Sequence, residues 1–432
     1  MKRISYIIVL LIAHCTLLIE DCNSQWYQVN LPISGPIQQM QFVNQNTGWA
    51  VIQESAAKFT LLRTSNSGVN WTVIYSDSAR VKRFQFINDT LGYGLGKAYV
   101  NDLLLKTTNG GYNWTVLQST QQYVLGGFYF VNADTGYVNG FNFNYFTFRT
   151  VNGLQSLDLI SSGAGGTPAT IYFFKEPYNG GLCGYMHGGG HLWRTTNSGF
   201  NWAQLSFSEA GIVRSFSFIN RDTGWVVYDP NIDNNKIEKT LNGGLNWNLQ
   251  YYDANDYGLR NVFAVNLEKI WCGVANNFIF KSSNSGQIWG RQQSSISLNY
   301  GIYMVDTTLG FAWSDYQLIR TTNGGGTIIG INQISTEVPE KYSLGQNYPN
   351  PFNPATNIPF ELKEPSHVTL KVFDARGREV KELVNGRWGT GKFIADFDAS
   401  ALATGIYFYQ IIISGESTHQ TFAETRKMMV LK

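Results

Sequence analysis

One nine-residue turn recurs seven times along the 432-residue chain, and no other feature restricts its fold as tightly. It reads RTSNSGVNW from Arg63, KTTNGGYNW from Lys106, RTTNSGFNW from Arg194, KTLNGGLNW from Lys239 and KSSNSGQIW from Lys281. Two weaker copies, RTVNGLQSL from Arg149 and RTTNGGGTI from Arg320, place Leu157 and Ile328 where the others have Trp. The turn asparagines Asn66, Asn109, Asn152, Asn197, Asn242, Asn284 and Asn323 are spaced by 43, 43, 45, 45, 42 and 39 residues. A period in that range belongs to propellers and solenoids, in which one repeat buries its apolar face only against its neighbours.

Each turn is preceded by two alternating apolar runs joined by a polar turn: FQFINDTLGYGLG from Phe84, FYFVNADTGYVNG from Phe128 and FSFINRDTGWVVY from Phe216. Looser versions begin at Gln41, Ile171, Val262 and Ile302. Every unit therefore supplies four antiparallel strands, which is a propeller blade. The 44 Gly, 24 Tyr, 27 Phe and 12 Trp agree, because aromatics suit half-buried pleated surfaces and Gly supplies positive φ in tight turns. In the turn itself, Asn is expected to bond backbone two residues on. Gly68, Gly111, Gly199, Gly244 and Gly286 take positive φ, and the Trp packs beside the next blade. The seven Asn are thus read as structural.

The two ends read differently. Residues 1–24 have Lys2 and Arg3, an apolar run from Ile7 to Ile19, and small residues at Cys22 and Ser24, the order of a secretory signal peptide cleaved before Gln25. The following QWYQVNLP matches the strand after the other turns but has no turn before it, so Trp26 and its strand are expected to complete the last blade and close the ring. The competing arrangement makes Thr327 to Ile334 the outer strand and leaves Trp26 on an extra arm. The propeller is assigned residues 25–334 and a linker 335–342. Residues 343–432, with Pro349, Pro351 and Pro354 before several strand-like runs, form a small immunoglobulin-like β-sandwich. The fold class is all-β: a seven-bladed β-propeller followed by that sandwich.

The turns resemble the Asp-box or BNR repeat, with Asn in the Asp position. The pairing of TGW or TGY with RTTNGG is most similar to the BNR-like propellers of photosystem II assembly factors and their bacterial relatives. The tail's YPNPFNP, VFDARGREV, TGIYFYQI and basic-apolar end resemble the C-terminal sorting domain of type IX secretion substrates. That resemblance implies a partner, the type IX machinery, and a place outside the cell or on the outer-membrane surface of a Bacteroidetes-type Gram-negative bacterium.

No catalytic set is legible. Sialidases share the Asp-box propeller but need an arginine triad and a Tyr nucleophile with its Glu, which do not map onto this chain. A surface glycoside hydrolase stands as the alternative to a binding or scaffolding propeller that acts as a monomer. No cofactor is implied. His187 and His191 have i, i+4 spacing, but in a Gly-rich hairpin rather than the helix that zinc enzymes use, so no metal is assigned. With 32 Lys and Arg against 30 Asp and Glu, charge marks no nucleic-acid partner. Cys183 and Cys272 read as small buried hydrophobes. The basic residue that opens each turn, Arg63, Lys106, Arg149, Arg194, Lys239, Lys281 and Arg320, is read as structural and paired with turn acids such as Asp89, Asp134 and Asp222. A protein or glycan ligand is expected on the opposite loops, at Tyr99, His187, Tyr228, Tyr252, Asp253, Tyr257, Tyr300 and Tyr316.

Overall fold

A computed structural model describes residues 26–432, apart from 57, 79–80, 99, 164–167, 179, 208, 210, 231–234, 253–257, 276–277, 288, 297–300, 327–330, 336–338, 389 and 416–417. The expected leader lies outside these residues. The described strands form nine four-stranded antiparallel sheets. Seven are blades. In the first, Ile37–Phe42, Gly48–Ser55, Lys58–Thr64 and Thr72–Ser78 run from the centre outward as a meander. The next five repeat this order through Asn248–Tyr252 and Gly290–Gln293.

The seventh blade takes its first three strands, Gly301–Met304, Gly310–Trp313 and Leu318–Thr321, from the chain's last repeat and its fourth, Tyr27–Val29, from the N-terminal end. Tyr27 pairs with Arg320 just as Thr72 pairs with Arg63, so the N-terminal strand sits in the same register as the other outer strands. Trp26, 1% exposed, fills a cluster with Trp271, Ile279, Ile302 and Ile319. The alternative closure by Thr327–Ile334 is overturned. Ile331–Ser335 is instead the edge strand of a C-terminal sheet, paired with Gly391–Asp398. The propeller's expected end at residue 334 therefore falls inside a strand of the other unit.

The T-G-aromatic signature has a steric origin. A Cβ added to Gly48 or Gly92 would come within 2.7 Å of the ring of Phe42 or Phe86 on the neighbouring inner strand, so the phenyl lies where only glycine leaves room. The aromatic after that glycine reaches the next blade. Trp49 stacks on Phe86 at 3.7 Å between centroids, Tyr93 on Phe130 at 3.5 Å, Tyr137 on Phe173 at 3.9 Å and Tyr185 on Phe218 at 3.7 Å. Phe311 meets Phe42 at 5.0 Å across the closing joint.

Inner-strand edges are covered as well. Gln39 Nε2 donates to the Phe84 carbonyl at 2.7 Å and its Oε1 accepts from the Phe84 amide at 3.0 Å, while Gln41 does the same for Phe86. Gln85 repeats the clamp on Phe130. At the joint between the seventh and first blades the Phe42 amide donates to the Tyr303 hydroxyl at 3.1 Å. Backbone groups that would face the central channel unpaired are thus satisfied by the preceding blade.

The C-terminal unit packs two sheets face to face. One holds Ile331–Ser335, Gly391–Asp398, Ala355–Leu362 and Ser343–Leu344. The other holds Glu379–Trp388, Ser366–Asp374, Gly405–Gly415 and Thr421–Val430. Strict alternation puts Ile358, Phe360, Leu370, Val372, Tyr409 and Ile411 into the core between them.

Replacing Trp26 by Ala should lower the unfolding free energy by about 3–5 kcal/mol, the usual cost of emptying a buried indole site. Gly48→Ala should cost about 1–3 kcal/mol through the clash with Phe42. Denaturant unfolding of each variant checks both.

Candidate functional site

Each blade turns at both ends, and the two ends differ. At one end the Asn-Gly turn joins the third and fourth strands beside the turn that joins the first two, tied by bonds such as Gly110 N to Thr90 O at 2.8 Å. At the other lie the hairpins between second and third strands and the crossings to the next blade.

The Asn-Gly turn is wired by its side chains. The Thr64 hydroxyl donates to Asn66 Oδ1 at 3.0 Å, and that oxygen also accepts from the Asn70 amide at 3.0 Å. The Gly68 amide donates to Thr64 Oγ1 at 3.0 Å, and Trp71 Nε1 donates to the Gly68 carbonyl at 3.2 Å. The hydroxyl-to-Asn bond recurs at Asn109, Asn152, Asn197, Asn242, Asn284 and Asn323, between 2.9 and 3.0 Å. The backbone bond therefore spans four residues rather than the expected two, because the Thr hydroxyl occupies the nearer amide. Gly68 has φ 74°, the left-handed conformation the motif demands.

The basic residues reach across blades. Lys239 Nζ donates to the Ser285 carbonyl at 3.1 Å, Lys281 Nζ to Gly324 O at 2.9 Å, and Arg320 Nε to Ser67 O at 2.7 Å, each on the next blade's turn. Four also lie over the second-strand aromatic of their own blade: Arg63 over Trp49, Lys106 over Tyr93, Lys239 over Trp225 and Lys281 over Trp271, at 5.0–5.6 Å. The expected pairing with a turn acid is seen at Arg194 and Asp222, 3.9 Å apart. Carbonyls dominate because the turn's own backbone leaves acceptors pointing at the preceding blade. Trp271 Nε1 shares Gly324 O with Lys281, at 3.2 Å, and Trp49 Nε1 donates to the equivalent carbonyl of the second blade's turn, Gly110 O, at 2.9 Å. Lys239, Lys281 and Arg320 thus tie their blade to the next one, whereas Arg63 Nε, Arg149 Nε and Arg194 Nε are buried without a hydrogen-bond partner among the described residues.

Of the residues expected on the other end, Tyr99, Asp253, Tyr257 and Tyr300 lie outside the described residues. Tyr228 is a correction. It is fully buried, and its hydroxyl donates to buried Glu238 at 3.0 Å, because the second strand runs on to Asp229 and carries Tyr228 inward. His187 is partly buried, with Nε2 3.0 Å from the Val213 carbonyl of the next blade, and burial holds its pKa below the ordinary histidine value. Tyr252, beside Lys236, and Tyr316 are exposed, the latter at 68%.

Sequence reasoning missed the most exposed large hydrophobic side chain among the described residues. Phe143, 91% exposed, forms the tip between Gly136–Asn142 and Asn144–Thr150 with φ 59°. A bulky residue in the left-handed region is a strained outlier. Its signal was the tight FNFN repeat. Val100 and Ile212 are also exposed on this end. The described residues contain no grouping of three or more His, Cys, Asp or Glu suited to a metal, and Cys183 and Cys272 are buried free thiols.

Ring, turns and tail together define a seven-bladed all-β propeller joined to a β-sandwich. Residues 346–423 of that sandwich match the family described as the secretion system C-terminal sorting domain. The propeller is similar in fold to the structure of YCF48 bound to D1 peptide, at 16% identity and a TM-score of 0.55 over 69% of this chain and 97% of that one. It is likewise similar to YCF48 from Cyanidioschyzon merolae, at 17% identity and a TM-score of 0.52 over 68% and 98%. Among curated proteins nothing matches.

Burial, aided by the charge of Lys269, pushes Lys281 down to about 8. The unfolded chain, with lysine near 10.5, then binds more protons between those values, so stability rises with pH across that window. Unfolding free energies from pH 7.5 to 9.5 should climb more steeply for the native protein than for Lys281→Met. Equal slopes would contradict the buried cation.

Proposed function

We propose that this protein is exported by the type IX secretion system and works outside the cell, free or on the outer-membrane surface, as a binding or scaffolding propeller. Export rests on the sorting-domain match at residues 346–423. Binding rests chiefly on Phe143, a strained and nearly fully exposed aromatic at a hairpin tip. Strain of this kind persists only where surrounding structure imposes it, and it gathers at ligand-contacting positions. Tyr252, Tyr316, Val100 and Ile212 extend the same end with apolar area, while Lys239, Lys281 and Arg320 of the opposite end are engaged between blades.

A protein or glycan partner suits such an aromatic face, because rings bring contact area and few rotatable bonds. A peptide is the first class to test, since the propeller of similar fold is described with one bound. The hydrolase alternative gains no support from the carboxylates of the fifth blade: Glu238 accepts from Tyr228, and Asp229 pairs with Arg214 at 3.1 Å.

Deleting residues 343–432 should leave the propeller in the periplasm, measured by fractionation of the producing cells. Undiminished propeller in the medium or on the surface would refute the export route. For binding, a peptide array and a glycan array probed with residues 25–432 supply the ligand. Phe143→Ala and Tyr316→Ala should then each weaken it by about 1–4 kcal/mol, as anchor truncations do. Arg63→Ala should leave affinity unchanged, and loss confined to Arg63→Ala would move the binding face to the Asn-Gly turns.

A further inference from the structure

In the last blade two stretches of chain fit one slot. In the six other blades the outer strand opens six residues after the turn asparagine: Thr72 after Asn66, Thr115 after Asn109, Asp158 after Asn152, Ala203 after Asn197, Asn248 after Asn242 and Gly290 after Asn284. Each of these first residues pairs with the basic residue of its turn, Thr72 with Arg63 through to Gly290 with Lys281. The same count from Asn323 reaches Ile329, so Ile331–Ser335 lies where the repeat puts the outer strand of the seventh blade. It is found elsewhere, with Ile331 paired to Ala395 and Ser335 to Lys392 on the edge of the C-terminal sheet. Tyr27–Val29 holds the slot, in the repeat's own register.

We propose that this outer slot is a strand-exchange site whose second occupant is Ile331–Ser335, which leaves the C-terminal sheet and pairs with Leu318–Thr321 whenever the N-terminal strand is withheld. The exchange trades one antiparallel edge pairing for another, so the ladder bonds made and broken nearly balance. What decides the outcome is the anchor. Trp26 buries an indole against Trp271, Ile279 and Ile302, whereas the second occupant has Ile328 at the corresponding place in the sequence. An indole buries more apolar area than a butyl side chain, so the N-terminal strand wins when it is free to dock.

The consequence is a link between the two ends of the chain. A molecule whose N-terminal segment is held elsewhere has a closed propeller but a C-terminal sandwich lacking one edge strand, and docking of Trp26 completes both units at once.

Hydrogen exchange read by mass spectrometry on residues 25–432, and on the same chain lacking residues 25–33, tests it. In the shortened chain the outward amides of Leu318–Thr321 should keep their protection, while those of Gly391–Asp398 that face Ile331–Ser335 should exchange at least tenfold faster. A synthetic peptide of residues 25–33 should restore the second set. If the shortened chain folds only with that peptide, exchange is read before and after the peptide is dialysed away. Loss of protection at Leu318–Thr321, or unchanged protection at Gly391–Asp398, overturns the proposal.

Discussion

The contact on which five of the seven joints depend is the aromatic that leaves one blade and lies flat on the inner-strand phenyl of the next, with Ala264 and Met304 in the phenyl's place at the other two. Blades share no backbone ladder, and beyond single bonds such as Val213 N to Gly190 O at 2.8 Å their association rests on side chains. The glycine before each such aromatic is what lets the phenyl of its own blade lie close, and the phenyl is in turn the platform for the preceding blade. Trp49 on Phe86 and Tyr93 on Phe130 show the chain of dependence: Phe86 covers Gly92 and carries Trp49, and Tyr93, one residue on, reaches Phe130. The basic residues and the Gln clamps then fix orientation by hydrogen bonds that cross the same joints.

A ring of such joints is only as sound as its last one. The seventh blade meets the first through Phe311 on Phe42, Tyr303 on the Phe42 amide and Arg320 on Ser67, and the outer strand of that blade comes from the far end of the chain. The N-terminal strand adds to these joints: Trp26 packs with Trp271 and Ile279 of the sixth blade, and Val29 packs against the cluster that joins the seventh blade to the first. It seats Trp26 in the cavity that the turn at Asn323, lacking a Trp, leaves empty. With that slot filled from the N-terminal end, Ile331–Ser335 pairs with Gly391–Asp398 on the C-terminal sheet.

The repeat, the blade count and the place of Trp26 were legible because they depend on local chemistry repeated seven times: an alternating pair of strands, a Thr and an Asn that wire one turn, and a Trp at fixed spacing. The site was less legible. Tyr228 reads as a loop residue, yet strand length is set by Asp229 and Asn235, both buried at the hairpin's root, and by Glu238, which supplies the hydroxyl's partner inside the blade. Ile331–Ser335 fits two edges equally well by pattern, and only the presence of Trp26 decides between them. Phe143 lies in a tight FNFN repeat, but that pattern does not encode the backbone angles that place and strain it at a hairpin tip. The cations show the opposite case. Their position was plain, but their partners were carbonyls of the adjacent blade, which a one-dimensional pattern of charges cannot reveal.

A double-mutant cycle on Trp49→Ala and Phe86→Ala, read by denaturant unfolding of residues 25–432, addresses the inter-blade stack most directly. If blades are held together by this contact, the two losses are non-additive, with a coupling of about 1 kcal/mol or more, as contacting residues show. Losses that add to within about 0.3 kcal/mol would mean that each side chain merely fills its own blade, contradicting the account.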